Sequence, residues 1–461
     1  MNTNKLLIYL TVLAFGFIVS FFVIRAGFDI KNIGALIFLL IFIPALINPD
    51  IGFIIIIVSM LFSPAVSVGM TTGREVVVRI EDIFLLVLIL AWLIKAALTK
   101  NIINVFKTDM TVPFFSYIAI CSISTTVAVL FQSGIDAKKG FFCILKYLEY
   151  FLLFLMVRSN LKSMRQSKIF IVVFLLTAIF VAAHSNVFIE KRLEAGTAFF
   201  RTTPPVEKKQ ESGTLAGYLL FMIGVAAGLL LYTSSVPLRV FLIGIQALMF
   251  RALLYTLSRG TYLAFIPMTI ALMYFTKRNK LLVLYIIFAL TALFVVFMPE
   301  MVRNRVLTTI SFKEDISGTR VEWEESPRAR LESWSAISFN LFPKSPLLGH
   351  GAGRYFTDGQ LFLTLSESGL LGLILLFWIL ARLFKMANKV PNIELVKNDD
   401  FSMGISIGFI IGFVGLLAQA FSTNTFIIVK IMEPFWFIAA IVLMLPELLK
   451  AEEEKRSAIT A

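Results

Sequence analysis

Cysteine and histidine are nearly missing from this chain of 461 residues, which has two of each. Cys121 and Cys143 lie in apolar stretches and support neither a disulfide framework nor a thiolate metal site. With His184 and His350 as the only imidazoles, a metal centre would have to rest on carboxylates, which argues against zinc chemistry. Charge is scarce as well: Asp, Glu, Lys and Arg make up 15% of the residues, against about 25% in soluble domains. No low-complexity segment and no internal repeat suggesting paired transporter halves is visible. The first apolar run, between Lys5 and Ala26, lacks a small-residue cleavage signal and reads as a retained anchor.

What the chain has in excess is apolar surface. Hydrophobic residues make up 58% of it, 46 of them Phe, and the mean hydropathy is +0.88. That exceeds what a water-facing surface tolerates, so the expected fold class is an all-α polytopic membrane protein. Runs near 6–24, 32–48, 51–70, 82–99, 112–131, 141–157, 168–184, 213–233, 237–256, 260–276, 281–298, 360–381, 402–421 and 424–447 predict about 12–14 transmembrane helices. A large extracytoplasmic loop, 299–359, separates the spans near 281–298 and 360–381. The expected organisation is N-terminal helices over 1–184, central helices with arginine-bearing outer loops over 185–298, that loop, C-terminal helices over 360–449 and a cytoplasmic tail over 450–461.

The net charge of +13 would suggest nucleic acid in a soluble chain; here it sets orientation. Lys95, Lys100 and Lys107, then Arg158, Lys162, Arg165 and Lys168, then Lys277, Arg278 and Lys280, and later Arg382, Lys385, Lys389 and Lys397 fall on one side, with both termini. By the positive-inside rule that side is cytoplasmic. The long segments 185–212 and 299–359 fall on the other and are close to charge-balanced, so the second reads as a folded cap.

Three constellations stand at the outer face. Leu257-Ser258-Arg259-Gly260 forms a hairpin between two spans; its arginine fits lipid headgroups or a bidentate phosphate contact. Arg201 precedes Thr202-Thr203-Pro204-Pro205, and Gly213 to Tyr218 then opens a span whose small residues suit either tight packing or an anion at the helix start. The third runs from Arg330-Leu331-Glu332-Ser333-Trp334 through Pro346 to Tyr355, Asp358, and Glu367-Ser368-Gly369-Leu370-Leu371-Gly372. Gly349, Gly351 and Gly353 predict tight turns above the membrane, and Gly369 with Gly372 a small packing face. Arg251, inside a span, reads as a helix-helix hydrogen-bonding or ion-pair residue. Lys146 with Glu149, and Lys430 with Glu433, stand at i,i+3 and predict local neutralisation.

The order of the S-R-G hairpin, long outer loop, R-x-x-x-W, P-L-L-G-x-G-x-G and E-x-G-x-x-G resembles the O-antigen ligase and O-antigen polymerase family of bacterial membrane glycosyltransferases. The resemblance covers about Arg201 to Leu380. It implies cofactor-free, metal-independent transfer of a glycan from an undecaprenyl-diphosphate-linked donor, on the outer face of the cytoplasmic membrane. The implied acceptor is a lipid-linked repeat unit or a lipid core, with a chain-length regulator as a further partner and no role for nucleic acid. It further implies that Arg201 and Arg259, with Arg330 as the weaker candidate, hold the diphosphate. Ligases of the family carry a His where this chain has Asp358. Asp358 suits either a general base or a helix N-cap. His350 is a second catalytic candidate that also suits a structural role, and Arg354 and Glu367 are supporting residues. The missing His leans the reading towards a polymerase. A lipid-linked glycan transporter is the rival from another class.

Overall fold

The computed structural model describes residues 48–460 except 64, 71–74, 99–101, 133–135, 198, 207–211, 277–279, 281–282, 285–286, 288–298, 308–309, 316–317 and 324. The expected spans 6–24 and nearly all of 32–48 lie outside the described residues, as does most of 281–298. In chain order the described helices are α1 (Pro49–Phe62), α2 (Ile80–Leu98), α3 (Ile102–Phe106), α4 (Thr111–Phe131), α5 (Ala137–Asn160), α6 (Met164–Glu194), α7 (Ser212–Tyr232), α8 (Val236–Leu254) and α9 (Arg259–Phe275). They continue with α10 (Glu300–Leu307), α11 (Glu325–Ser335), α12 (Gln360–Lys389), α13 (Glu394–Lys397), α14 (Asp400–Gln419) and α15 (Val429–Thr460). Eight of them, α4 to α8, α12, α14 and α15, are long and apolar enough to cross a membrane. The chain is an all-α polytopic membrane protein. Its only described sheets are two short antiparallel hairpins, β1 (Ala65–Met70) with β2 (Glu75–Arg79) and β3 (Ile310–Asp315) with β4 (Gly318–Trp323).

Two expected spans differ. The run 51–70 is not one helix: α1 stops at Phe62, Ser63 turns extended, and β1 follows. Ser63 precedes Pro64, whose ring disfavours the helical region for the residue before it. The run 168–184 is longer than expected, because α6 extends to Glu194. Hydropathy falls there, but His184 to Glu194 contains no proline or glycine, so the backbone has no reason to stop. A capping box, Ser163 with Gln166, fixes its start.

The centre of the bundle is the α7/α14 contact. Gly404, Gly408 and Gly412 recur every four residues and so line one face of α14. A Cβ at Gly408 would stand 2.6 Å from Val225 O, and one at Gly224 2.6 Å from Gly412 Cα, so the two backbones touch. In a bilayer, where lipid is as apolar as side chains, such close approach is a main source of helix association. Aromatic rings fill the next shell: Trp436 meets Phe114, Phe151 and Phe154, and Phe435 meets Phe221, Phe409 and Phe413.

Candidate active site

At one end of the bundle the starts of α7, α9, α12 and α15 and the end of α14 converge on the turn 420–428. Gln419, fully buried, organises it. Its amide nitrogen donates to Gly213 O at 3.2 Å and Thr261 Oγ1 at 3.0 Å, and its amide oxygen accepts from Thr425 at 3.3 Å. Gln360 does the same on the other side: its backbone N–H donates to Ala420 O at 2.8 Å and its side chain accepts from Phe426 N–H at 2.9 Å. Backbone without helical bonds at this depth is tolerated only where protein groups satisfy it, and these two amides do so. Four helix N-termini thus face one region, each presenting the positive end of its dipole.

The Arg259 hairpin and the Arg201 loop are tied together. Thr202, next to Arg201, donates through its backbone to Tyr255 O at 3.0 Å and through its hydroxyl to Ala252 O at 3.1 Å. Phe200 stacks on Tyr255 at 5.7 Å, inside an apolar cluster with Ile189, Leu254, Leu257 and Val302. Leu257 holds φ of +52°, a left-handed conformation that turns the chain sharply into Arg259, the first residue of α9. Arg251 stays apart: its guanidinium bonds Asn186 Oδ1 at 3.1 Å and Glu190 Oε1 at 2.5 Å, the ion-pair role expected from its position.

Asp358 stands across the same turn. Its Oδ2 accepts from Arg330 Nε at 2.9 Å, its backbone oxygen accepts from the Trp334 indole at 2.5 Å, and Oδ1 makes no hydrogen bond among the described residues. The i,i+4 spacing of Arg330 and Trp334 on α11 explains this grip, since both side chains leave one helix face. Asp358 does not cap α12: the N-cap is Gly359, at φ of +99°, and no side-chain cap bond forms. Gly359 packs 2.9 Å from Phe421 O by its virtual Cβ, and Gly260 packs on Ser422. The residues beside Asp358 and beside Arg259 therefore lie against neighbouring residues of one turn. Asn424 adds a third tie, donating to Thr357 O at 2.8 Å while its own Oδ1 accepts nothing from the described residues.

His350 is placed differently. It is buried, with Nδ1 at 3.0 Å from Gln132 Oε1 and Nε2 at 2.9 Å from Leu341 O, so both ring nitrogens are committed. Arg354 bonds the same Gln132 oxygen and stacks on Tyr355. Glu367 accepts from Gly353 N–H at 2.9 Å, anchoring the glycine loop. That loop follows a break in α12: Gly369 sits at φ of +63° and ψ of −161°. The N–H groups freed beyond the break donate to Pro346 O and Leu347 O, and the carbonyls before it, Ser366 and Glu367, accept from His350 and Gly351. The expected Gly369–Gly372 packing face is thus instead a seam where loop backbone replaces helix backbone.

The structure brings Arg201, Arg259, Arg330 and Asp358 to one end of the bundle. His350 and Arg354 meet on Gln132, and Glu367 holds the same glycine loop through Gly353. Sequence reading missed Gln419, Asn424 and Gln132. Gln419 is a lone amide inside an apolar run and was the available signal; Gln132 ends such a run, and Asn424 sits within the polar stretch Ser422 to Thr425.

Residues 244–361 match the family model described as O-antigen ligase. The match supports the O-antigen ligase and polymerase family. The matched segment holds Arg259, Arg330, Trp334, His350, Arg354 and Asp358; Arg201 and Glu367 fall outside it. With the membrane-length helices, it supports a membrane glycosyltransferase-like role in O-antigen assembly, with lipid-linked glycans in a bilayer as the class of substrate. A comparison with curated proteins finds no match.

Proposed function

We propose that the chain is a metal-independent, inverting glycosyltransferase that polymerises undecaprenyl-diphosphate-linked repeat units for O-antigen, capsule or exopolysaccharide. One observation carries the reading: the 420–424 turn is shared by the residues flanking Arg259 and those flanking Asp358. Arginines and a carboxylate gathered around one turn suit attack on a diphosphate-activated sugar. Arg201 and Arg259 neutralise the diphosphate, helped by the helix N-termini. The acceptor hydroxyl oxygen attacks the anomeric carbon and its proton passes to Asp358 Oδ1. The bond from that carbon to the diphosphate oxygen breaks with its electron pair on the leaving diphosphate. Arg330 positions Asp358 by holding Oδ2. His350 has neither nitrogen available and acts as a structural pin.

In this reading the site faces the outside of the bacterial cytoplasmic membrane, both termini are cytoplasmic, and a chain-length regulator acts as partner. Transfer to a lipid core is the second reading, favoured by the description of the matching family. Arg259→Ala in cells tests the proposal. Surface polysaccharide disappears while the protein level in the membrane is unchanged; unaltered chain length and amount would refute it.

A further inference from the structure

A second polar assembly lies inside the bundle and shares no residue with the one above. It joins the start of α2, the middle of α5 and the second turn of α15. Lys146 Nζ lies 2.5 Å from Asp82 Oδ2 and 3.0 Å from Glu149 Oε2. Arg79 donates its backbone N–H to Asp82 Oδ2 at 2.8 Å, and its side chain stands 3.7 Å from Glu81. Glu433 was expected to be neutralised by Lys430 one turn away, yet among the described residues neither of its oxygens accepts a hydrogen bond, although the residue is 0% exposed. It faces the other carboxylates instead: one oxygen from each of Asp82, Glu149 and Glu433 lies within 4.8 Å of the others.

The oxygens left over are the informative ones. Asp82 Oδ1, Glu149 Oε1 and both Glu433 oxygens are buried without a hydrogen-bond partner among the described residues. Buried acceptors are ordinarily satisfied, and a buried carboxylate needs a cation beside it. Lys146 compensates one of the three negative charges, and Glu81 with Arg79 forms a pair of its own. With all three carboxylates ionised, two charges remain to be balanced among the described residues. An oxygen-to-oxygen span of up to 4.8 Å is about twice the 2.3–2.6 Å of a calcium–oxygen bond. Among the described residues no other group of His, Cys, Asp and Glu converges in this way.

We propose that Asp82, Glu149 and Glu433 bind one divalent cation of the calcium–magnesium class, cross-linking α2, α5 and α15. All-oxygen, anionic ligands select such hard ions over zinc or copper. The ion ties α2 and the β1–β2 hairpin before it to the buried α5/α15 core. It lies one turn or more along α15 from the 420–428 turn and takes no part in glycan transfer.

The test uses the full chain, purified in detergent, stripped with chelator, and titrated with CaCl2 and with MgCl2. Calorimetry should show one saturable site per chain for at least one ion, with a matching rise in the unfolding temperature. Glu433→Gln and, separately, Glu149→Gln should each weaken binding at least as much as losing an outer-shell partner does, roughly 10-fold to 100-fold. The exposed Glu394→Gln should bind like the parent. If the unaltered protein binds neither ion and its unfolding temperature ignores both, the proposal falls, and Glu433 is then a protonated carboxyl. It falls equally if a folded Glu433→Gln binds as well as the parent. The measurement on the unaltered chain decides the matter even where a variant does not fold.

Discussion

Asp358→Asn is the sharpest single perturbation of the transfer chemistry, because structure and activity should respond on different scales. The amide keeps the volume of the carboxylate, and its oxygen can still accept from Arg330. The pair it replaces is 30% and 39% exposed in its side chains, so its loss should cost only about 0.2–1 kcal/mol of stability. What disappears is the acceptor for the hydroxyl proton. General-base catalysis contributes roughly 10²- to 10⁴-fold, which is about 3–5 kcal/mol of barrier at 1.36 kcal/mol per tenfold. The assay follows elongation of lipid-linked repeat units and thermal unfolding on one preparation. A fall in turnover of at least a hundredfold with near-parental unfolding is expected. Parental turnover in a well-folded Asp358→Asn would refute the assignment of the base. Arg330 is tested in the same series. If it acts only by positioning Asp358, Arg330→Ala adds little in the Asp358→Asn background; if it grips diphosphate directly, the two losses add.

Arg259→Lys should recover only part of the activity lost in Arg259→Ala, because an ammonium offers a point charge without the planar fork; the check is elongation rate at saturating donor. His350→Ala removes the partner of Leu341 O and leaves Gln132 Oε1 with Arg354 alone, and should cost about 1–3 kcal/mol. In that variant activity per folded molecule should fall far less than in Asp358→Asn, and an equal fall would return His350 to the chemistry. Gly408→Val pushes a side chain into Val225 O, 2.6 Å from its Cβ. The cost is expected at or above the upper end of the roughly 1–3 kcal/mol typical of overpacking, read as loss of monodisperse protein on size exclusion.

The class of fold was legible because burial in lipid leaves a coarse signal: apolar runs of span length mark α4 to α8, α12, α14 and α15 without any knowledge of packing. It misled where local backbone chemistry overrides hydropathy. Residues 51–70 are mostly apolar and carry no charge, but the Ser63-Pro64 step ends α1, and hydropathy does not tell β1 from a helix. The arginines of the proposed site could be singled out one by one, since each charge near an apolar run needs a reason. Their grouping was not. It depends on Gln419 and Gln360 folding the 420–428 turn inward, a tertiary fact with no sequence period. Gly369 shows the same limit: a helical pattern over 360–389 predicts packing glycines, whereas the bonds that split α12 come from Pro346 to Gly351, which only the fold brings alongside. Glu433 is the clearest case. Its spacing from Lys430 suggests a local pair, but the carboxylate points across the bundle to Asp82 and Glu149.

The central proposal is that the residues gathered at the helix ends transfer lipid-linked glycan through Arg259 and Asp358. Its most direct test is the purified chain in proteoliposomes supplied with undecaprenyl-diphosphate-linked repeat units, with product lengths resolved by gel. The account predicts longer lipid-linked chains from the unaltered protein and none from Arg259→Ala at equal incorporation. Movement of the donor across the bilayer with no growth in chain length would contradict it.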